Sequence, residues 1–219
     1  MKKQLNLSNG KQNKDLKKQH NMGKRTVEIK DEKRVYDGYL KVNEATIKDT
    51  LENGTVLEYK RQKVESCDAV AGLIYNTDTE CVVLVRQHRY PTQKNGRNGF
   101  VYEVVAGKMD KKGEEPQKTF IREALEEVGY NIKEKNIEYC SWCYTSPGYT
   151  SERTHYFLAT VTNKDKVKNA GGGVKDEHEN IEICEIHYLQ FRSMMDTLED
   201  AKTKILAYEA HHKKLFDKR

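Results

Sequence analysis

The sequence predicts an α/β protein, an α/β/α sandwich with a mixed sheet, preceded by a small antiparallel sheet in the N-terminal region. Three observations support this prediction. Residues 69–75 and 81–85 are dense enough in apolar side chains to be strands buried on both faces. Residues 116–128 repeat apolar side chains at helical spacing, and two more helical segments, 190–198 and 201–216, follow near the C-terminus. Strands and helices that succeed one another in this way favour layers packed around one sheet.

The chain begins with a basic tail. Residues 1–25 contain eight Lys or Arg and one Asp, a net charge of +7, so the rest of the chain, with 31 basic and 33 acidic residues, has a net charge of −2. The tail is polar and poor in aromatic residues, so we expect it to be disordered. It offers a contact for nucleic acid or an anionic surface. A solvated extension is the simpler interpretation, because no aromatic side chain lies between the lysines to stack on bases.

Residues 26–66 are predicted to form the small antiparallel sheet. Three segments mix β-branched and aromatic residues with charged ones in rough alternation: 26–30, 39–48 and 55–64. Asn53-Gly54, between the last two segments, is a strong hairpin signal. A sheet of this size has little core of its own, so we expect it to need a partner. Near residue 66 the composition becomes more apolar, and residues 67–219 are predicted to form the second domain.

The second domain has further strand and helix signals. Short runs of β-branched and aromatic residues predict strands at 101–105, 137–144, 155–161 and 181–188. Pro116 suits the first position of the central helix, and Gly129 suits the left-handed residue that follows its end. The apolar stripe predicted for this helix consists of Ile121, Ala124, Leu125 and Val128. The last helix offers four side chains for packing: Ile205, Leu206, Tyr208 and Leu215.

Several classes of protein are disfavoured by composition. The sequence contains no run of 18 or more apolar residues, so we expect no membrane span. The N-terminus lacks the apolar core of a signal peptide. The cysteines are odd in number and not dense enough for a disulfide framework, which favours a reducing cytoplasm. They are Cys67, Cys81, Cys140, Cys143 and Cys184.

Three glutamates crowd one face of the central helix. Glu123, Glu126 and Glu127 lie at i, i+3 and i+4, where like charges repel one another. A hard cation held between them explains this arrangement, because magnesium prefers oxygen ligands and commonly works with the phosphates of a substrate. The alternative is a solvated acidic face with no ligand.

The residues around these glutamates resemble the Nudix box, G-x5-E-x7-R-E-U-x-E-E-x-G-U, where U is aliphatic. The matching stretch is residues 106–130, AGKMDKKGEEPQKTFIREALEEVGY. It departs from the pattern twice: Gly107 precedes Glu114 by six intervening residues instead of five, and Tyr130 replaces an aliphatic residue. The motif is long enough that we identify the chain as a member of the Nudix family.

The resemblance extends from about residue 34 to the C-terminus and is greatest to the ADP-ribose pyrophosphatase branch. Pro147, in Ser146-Pro147-Gly148, lies at the distance after the box that is typical of this branch. The loop 170–174, Ala-Gly-Gly-Gly-Val, also resembles the sibling GDP-mannose pyrophosphatases. The resemblance therefore implies hydrolysis of a nucleoside diphosphate sugar, with ADP-ribose cleaved to AMP and ribose 5-phosphate as the first expectation. GDP-mannose or another nucleotide sugar is the alternative.

The resemblance also implies a metal centre and a catalytic base. It implies Mg²⁺, with Mn²⁺ as an alternative, held by the three glutamates and the Ala106 carbonyl. Arg122 would position these glutamates, and Glu114 would anchor the turn or contact an outer metal ion. Glu177 matches the base that activates water, and Glu179 is the alternative. An ordinary charged loop residue is the alternative interpretation of Glu177.

Substrate contacts and a dimer are implied as well. Arg89, at a strand end, suits a phosphate group, although a surface role is nearly as well supported. Glu152 is expected to accept hydrogen bonds from ribose hydroxyls. Tyr39 is expected to stack on a nucleobase, with packing in the core as the alternative. Arg61 is expected to reach the neighbouring subunit of a homodimer that exchanges its N-terminal sheets.

Two other patterns predict little. Cys140 and Cys143 have thioredoxin-like spacing, but they lie inside a predicted strand and not at a helix N-terminus, where thiolates are stabilised. His211 and His212 lack zinc-like spacing with the cysteines. A different class of function, a non-catalytic Nudix module that senses ADP-ribose or binds nucleic acid through the tail, is disfavoured because a pure binder has no need of the carboxylate cluster.

Overall fold

The computed structural model describes residues 25–94, 96–173 and 180–217. The chain divides between Glu65 and Ser66 into two compact units, and each is described by itself. Among the described residues, no helix is both long and apolar enough to cross a membrane.

The first unit is an antiparallel sheet of three strands in the order β1-β2-β3. The strands are β1 (Thr26–Asp37), β2 (Lys41–Thr50) and β3 (Val56–Glu65). The predicted hairpin is confirmed: Thr50 pairs with Val56, and Gly54 has a φ of 82° that favours glycine. Between residues 25 and 65 only Asp49 is fully buried, so this sheet has almost no core of its own.

Tyr39 lies outside the strand in which it was predicted. It occupies the bend between β1 and β2, and 90% of its surface is exposed. The interpretation of Tyr39 as a core-packing strand residue is therefore wrong, because Tyr39 lies in the bend where the chain reverses direction and its side chain is exposed.

The second unit is built on a mixed sheet of seven strands. Its strands are β4 (Ala69–Asn76), β5 (Cys81–His88), β6 (Phe100–Glu103), β7 (Val105–Lys108), β8 (Ile137–Tyr144), β9 (Arg153–Val161) and β10 (Glu182–His187). The order is β10-β5-β4-β9-β8, with β6 paired to β5 and β7 paired to β4. Only the β4–β9 pair is parallel among these described strands. The predicted mixed sheet is confirmed.

Helices cover both faces of this sheet. They are α1 (Pro116–Val128), α2 (Tyr188–Met194) and α3 (Ala201–His212). One apolar cluster joins α1 to one face through Phe120, Ala124 and Val128. A second cluster joins α2 and α3 to the other face through Phe191 and Leu206. The predicted α/β/α sandwich is confirmed.

The strand predicted at 101–105 is two strands. β6 pairs with β5 and β7 pairs with β4, so the chain changes partner at Val104. The amide of Val104 donates a hydrogen bond to Thr203 Oγ1 at 2.8 Å, and α3 therefore supplies the partner that a continuous ladder would have supplied.

The C-terminal helices are shorter than predicted. α2 ends at Met194, and a 3-10 turn follows at Met195–Thr197. α3 ends at His212, and Lys214 then adopts a φ of 54°, which a continuing helix does not allow. Of the four side chains predicted to pack, Leu206 and Leu215 are buried, whereas Ile205 and Tyr208 are exposed.

Candidate functional site

The acidic helix approaches β7 so closely that only glycine fits between them. A Cβ added to Gly107 would lie 2.0 Å from Cδ of Glu123. One residue earlier, the amide of Ala106 donates a hydrogen bond to Glu127 Oε2 at 3.2 Å. Ala106, Glu123 and Glu127 are therefore brought together at one point of the fold.

α1 begins and ends where the sequence predicts. Pro116 occupies its first turn, and Gly129 follows it with a φ of 75° and donates its amide to the Leu125 carbonyl. The predicted stripe is confirmed in part: Ala124 and Val128 are buried, whereas Ile121 and Leu125 are only partly buried. Phe120 is buried instead, and its ring fills the space above Gly72, where a Cβ would lie 2.1 Å from the ring.

The packing of α1 against the sheet buries one of the three glutamates. Glu127 is 4% exposed and lies on the same side as Ala124 and Val128, whereas Glu123 and Glu126 remain partly accessible. A buried carboxylate requires hydrogen bonds, and the Ala106 amide provides one of them. The three glutamates are therefore not equivalent, which spacing alone did not predict.

Arg122 lies among four carboxylates. Its Nη1 is 2.8 Å from Glu123 Oε1 and 2.9 Å from Glu126 Oε2. Its Nη2 is 3.5 Å from Glu114 Oε2 and 3.8 Å from Asp110 Oδ1. Burial lowers the pKa of Arg122, but the charges of Glu123 and Glu126 outweigh burial, and the pKa lies above its ordinary value.

The arrangement fits a divalent cation chemically. The single guanidinium of Arg122 faces four carboxylates, which is more negative charge than it can neutralise. Hard carboxylate oxygens are the ligands that magnesium prefers. In this structure the glutamate carboxylates pair with Arg122 and with the amide of Ala106. Within residues 25–94, 96–173 and 180–217, no group of three His, Cys, Asp or Glu side chains is already arranged to hold a metal ion.

Glu114 is held at the start of the helix. Thr119 Oγ1 donates to Glu114 Oε2 at 2.8 Å, on the same oxygen that Arg122 approaches. The turn before α1 is thus joined to the helix by a side chain that the sequence reasoning did not single out.

A glycine-rich loop closes the C-terminal end of α1. The amides of Gly172 and Gly173 donate to the carbonyls of Glu127 and Glu126, at 2.8 and 3.1 Å. Both glycines have positive φ, of 96° and 82°, so other residues would be strained here. Gly173 is the last described residue before Glu177 and Glu179, which lie outside the described residues.

Arg89 follows the end of β5 and contacts a buried acid. Its Nε donates to Glu103 Oε2 at 2.8 Å, and Glu103 is 5% exposed. Lys202 Nζ lies 3.6 Å from the other oxygen, Glu103 Oε1. Sequence reasoning assigned no role to Glu103 or Lys202. The one sequence signal for Glu103 was that it is the single acidic residue in the apolar strand predicted at 101–105.

Glu152 lies in the loop between β8 and β9. Its two carboxylate oxygens accept hydrogen bonds from Thr145 Oγ1 at 2.8 Å and from Ser66 Oγ at 3.0 Å. These contacts fix the carboxylate and leave acceptor capacity on both oxygens. Neither Thr145 nor Ser66 was predicted as part of a site.

Two predicted substrate contacts belong to the first unit. Tyr39 is exposed in the bend before β2. Arg61, in β3, stacks on the ring of Tyr59 at 4.3 Å and donates Nη1 to the Lys60 carbonyl.

The Cys-x-x-Cys pattern lies in β8, as predicted. Burial raises the pKa of the Cys140 thiol to about 11, and Cys143 donates to the Tyr156 hydroxyl at 3.5 Å. A thiol that holds its proton so firmly is unsuited to redox exchange near neutral pH. All five cysteines are free.

Comparison with known proteins decides the family. A family profile described as the NUDIX domain matches residues 66–208, a region that begins where the second unit begins. The chain belongs to the Nudix family. The motif carried by α1 and the turn before it is therefore a Nudix box, as predicted.

Relatives of this Nudix protein include two named GDP-mannose pyrophosphatase. One, from Citrobacter koseri, is 34% identical over 197 residues, which cover 89% of this chain and 99% of the relative. The other, from Escherichia coli K12, is 36% identical over 181 residues, which cover 81% and 91%. A solved structure described as an ADP compounds hydrolase has a TM-score of 0.67 and 15% identity, over 89% of this chain and 97% of that one, and it shares the fold.

Proposed function

We propose that this Nudix hydrolase cleaves the diphosphate bond of a nucleoside diphosphate sugar with water, releasing a nucleoside monophosphate and a sugar phosphate. The observation that supports this most directly is the convergence of Glu123, Glu127 and Ala106 where β7 meets α1. Glu126 joins this cluster through Arg122. The names of the relatives support a nucleotide sugar as the substrate class.

Within that class we place GDP-mannose first. Two relatives that align along most of their length carry this name, and the glycine loop that binds the end of α1 is the segment that resembles their branch. ADP-ribose is the second candidate, because the Ser146-Pro147-Gly148 segment resembles the ADP-ribose branch.

Magnesium, or manganese in its place, is the metal that this donor set fits. Glu123, Glu126 and Glu127 would hold it together with the Ala106 carbonyl. When bound, such an ion neutralises phosphate charge and polarises the phosphorus toward attack. Glu127 is already oriented by the Ala106 amide, and Arg122 holds Glu123 and Glu126 on one side of the helix.

Other side chains bind and orient the substrate in this proposal. Arg89 keeps both Nη groups for a phosphate, since its Nε is the atom that bonds Glu103. Glu152, fixed by Thr145 and Ser66, accepts hydrogen bonds from sugar hydroxyls.

Glu177 is the proposed base that accepts a proton from the attacking water, with Glu179 as the alternative. The amide of Gly173, four residues before Glu177 in sequence, donates a hydrogen bond to the backbone carbonyl of Glu126. A general base must come within hydrogen-bond distance of the proton that it accepts.

A homodimer with exchanged N-terminal sheets is proposed for the first unit. Only Asp49 is buried between residues 25 and 65, and Val27 and Ile29 are exposed apolar side chains of β1. A partner subunit would cover such a sheet, and Tyr39 and Arg61 would then be offered to a nucleobase at the neighbouring site. The free cysteines support a cytoplasmic location.

The proposal is tested by product release. Purified protein is incubated with GDP-mannose, ADP-ribose, UDP-glucose, NADH and capped RNA, and released phosphomonoesters are measured with a coupled phosphatase. We expect turnover of a nucleotide sugar that requires a divalent cation and stops with EDTA.

A charge-removing variant then tests the cluster. Glu127→Gln keeps the shape of the side chain and its bond to Ala106, so the protein is expected to fold normally while kcat falls by at least about 10²–10³-fold. Glu182→Gln, at an exposed carboxylate of β10, is the matched control and is expected to keep wild-type activity. Full activity in Glu127→Gln would show that Glu127 has no part in catalysis, whereas binding of nucleotide sugars without hydrolysis by the wild type would favour a non-catalytic module.

A further inference from the structure

Glu103 is a buried carboxylate with a cation on each oxygen. Its Oε2 accepts from Arg89 Nε at 2.8 Å, and its Oε1 lies 3.6 Å from Lys202 Nζ. Only 5% of the residue is exposed. Burying a carboxylate is costly unless its oxygens are paired, so both cations are needed to hold it in place.

The second cation is itself anchored at the start of α3. Lys202 Nζ is 2.7 Å from Asp200 Oδ1, and Asp200 caps the helix by accepting from the Thr203 amide at 2.8 Å. Thr203 Oγ1 in turn accepts from the amide of Val104, the residue after Glu103. α3 therefore fixes both the strand that bears Glu103 and the orientation of its carboxylate.

Arg89 is the exposed end of this chain of contacts. Its side chain is 45% exposed, and the bond from Nε to Glu103 is the one hydrogen bond that the Arg89 guanidinium forms within the described residues. That bond uses Nε, so the two Nη groups remain available as a planar pair of donors. A planar pair of this kind matches two oxygens of a phosphate.

A simple surface arginine would not need these supports. Arg86 shows the contrast, because it forms an equally short bond of 2.8 Å to Glu182, but that carboxylate is exposed. An exposed ion pair contributes little, and the Arg86 guanidinium lies instead over the ring of Phe100, with Cζ 4.6 Å from the ring centroid. Glu103, in contrast, is buried and its other carboxylate oxygen contacts Lys202, so it can restrict the guanidinium of Arg89 to one orientation.

We propose that Glu103 and Lys202 are positioning residues that hold Arg89 as a rigid fork for the diphosphate of the substrate. The inference rests on the proposed function and deepens it, since it names the residues that act through Arg89. Lys202 fixes the carboxylate of Glu103, and Glu103 fixes the guanidinium. Arg89 binds the diphosphate before and during the reaction, so its orientation governs binding more than the chemical step.

The test measures KM and kcat separately. Glu103→Gln removes the charge but keeps the size, and we expect KM to rise about 10- to 100-fold, the range for loss of a charged hydrogen bond, with kcat within about threefold of wild type. Lys202→Met is expected to raise KM about three- to tenfold, because Glu103 keeps its contact with Arg89. Glu182→Gln and Lys204→Met are the matched controls, since neither residue contacts Glu103, and both are expected to match the wild type.

A double-mutant cycle shows whether Glu103 acts through Arg89. Arg89→Lys removes the fork, and if Glu103 works by orienting it, Glu103→Gln adds no more than about twofold to the KM of Arg89→Lys. If the KM increases of the two single variants multiply in the double variant, the proposal is overturned. A purely structural Glu103 would instead lower the melting temperature and the fraction of active protein while KM stays constant.

Binding of GDP, measured by calorimetry with magnesium, separates this inference from the proposed function. Absence of turnover in the wild type would refute the proposed function. The inference would still be tested, because the Kd for GDP is expected to rise in each variant by the same factor as given above for KM. If Glu103→Gln does not fold, Lys202→Met decides: a raised KM or Kd supports the positioning role, and values equal to those of Lys204→Met overturn it.

Discussion

A single added methyl group at Gly107 should disable the site while leaving the fold intact. In Gly107→Ala the new Cβ would lie 2.0 Å from Cδ and 2.1 Å from Oε1 of Glu123, where ordinary contact begins at 3.4 Å. The carboxylate must therefore move by about 1.4 Å. Displacements of about 1 Å in a catalytic arrangement can cost roughly 10²-fold in rate, so we expect kcat to fall by about that factor or more.

The structure offers a matched control for this substitution. In Gly72→Ala the new Cβ would lie 2.1 Å from the ring of Phe120, a clash of similar severity inside the apolar core. Overpacking of a core costs about 1–3 kcal/mol, so Gly72→Ala is expected to lower the melting temperature strongly. Glu123 ends in a flexible side chain that can rotate away, so Gly107→Ala is expected to lose less stability and more activity.

The comparison requires turnover per folded molecule and a thermal melt for each variant. Steady-state rates on a nucleotide sugar are divided by the folded fraction from circular dichroism. A folded Gly107→Ala protein with kcat within about threefold of wild type would contradict the argument, because the displaced carboxylate would then have no part in catalysis.

Three further results are expected. Burial raises the pKa of Asp165, but hydrogen bonds from Thr162 outweigh it and hold that pKa below the ordinary value. The unfolded chain therefore takes up protons first as the pH falls below about 4, and stability declines there. Asp165→Asn should cost about 1–3 kcal/mol at pH 7 and flatten this acid decline in urea titrations, and an unchanged decline would contradict the assignment. At pH 8, iodoacetamide should modify exposed Cys67 roughly tenfold or more faster than Cys140, whose pKa burial raises to about 11, as peptide mass spectrometry would show; equal rates would count against that burial. Deletion of residues 1–24, which lie outside the described residues, should leave hydrolysis unchanged and weaken only salt-sensitive binding to polyanions, and lost hydrolysis would give the tail a catalytic role.

The acidic helix was predictable because its signals are local. Pro116 and Gly129 mark its ends, and the glutamates follow from their spacing along one turn. The buried side was predictable only in part: Ala124 and Val128 are buried as expected, but Phe120 is buried in place of Ile121 because its partners are distant in sequence. These are the space above Gly72 and the ring of Phe157, which stacks on Phe120 with centroids 5.3 Å apart.

The same distinction applies to the strand predicted at 101–105. Its residues have the composition of one strand, and nothing nearby in sequence signals a break at Val104. The break depends on Thr203, which is 99 residues away and accepts the hydrogen bond of the Val104 amide. Local propensity describes a residue and its neighbours, whereas this contact exists only after α3 has packed.

By itself, the sequence determined the family, the layered fold and the identity of the acidic cluster, because motif spacing and apolar periodicity are properties of the chain before it folds. Tertiary structure decided which glutamate is buried, why Gly107 must be glycine, and that Arg89 meets Glu103 and Lys202 at one point. Those facts depend on elements far apart in sequence being pressed together, and on the cost of burying a charge that has no partner.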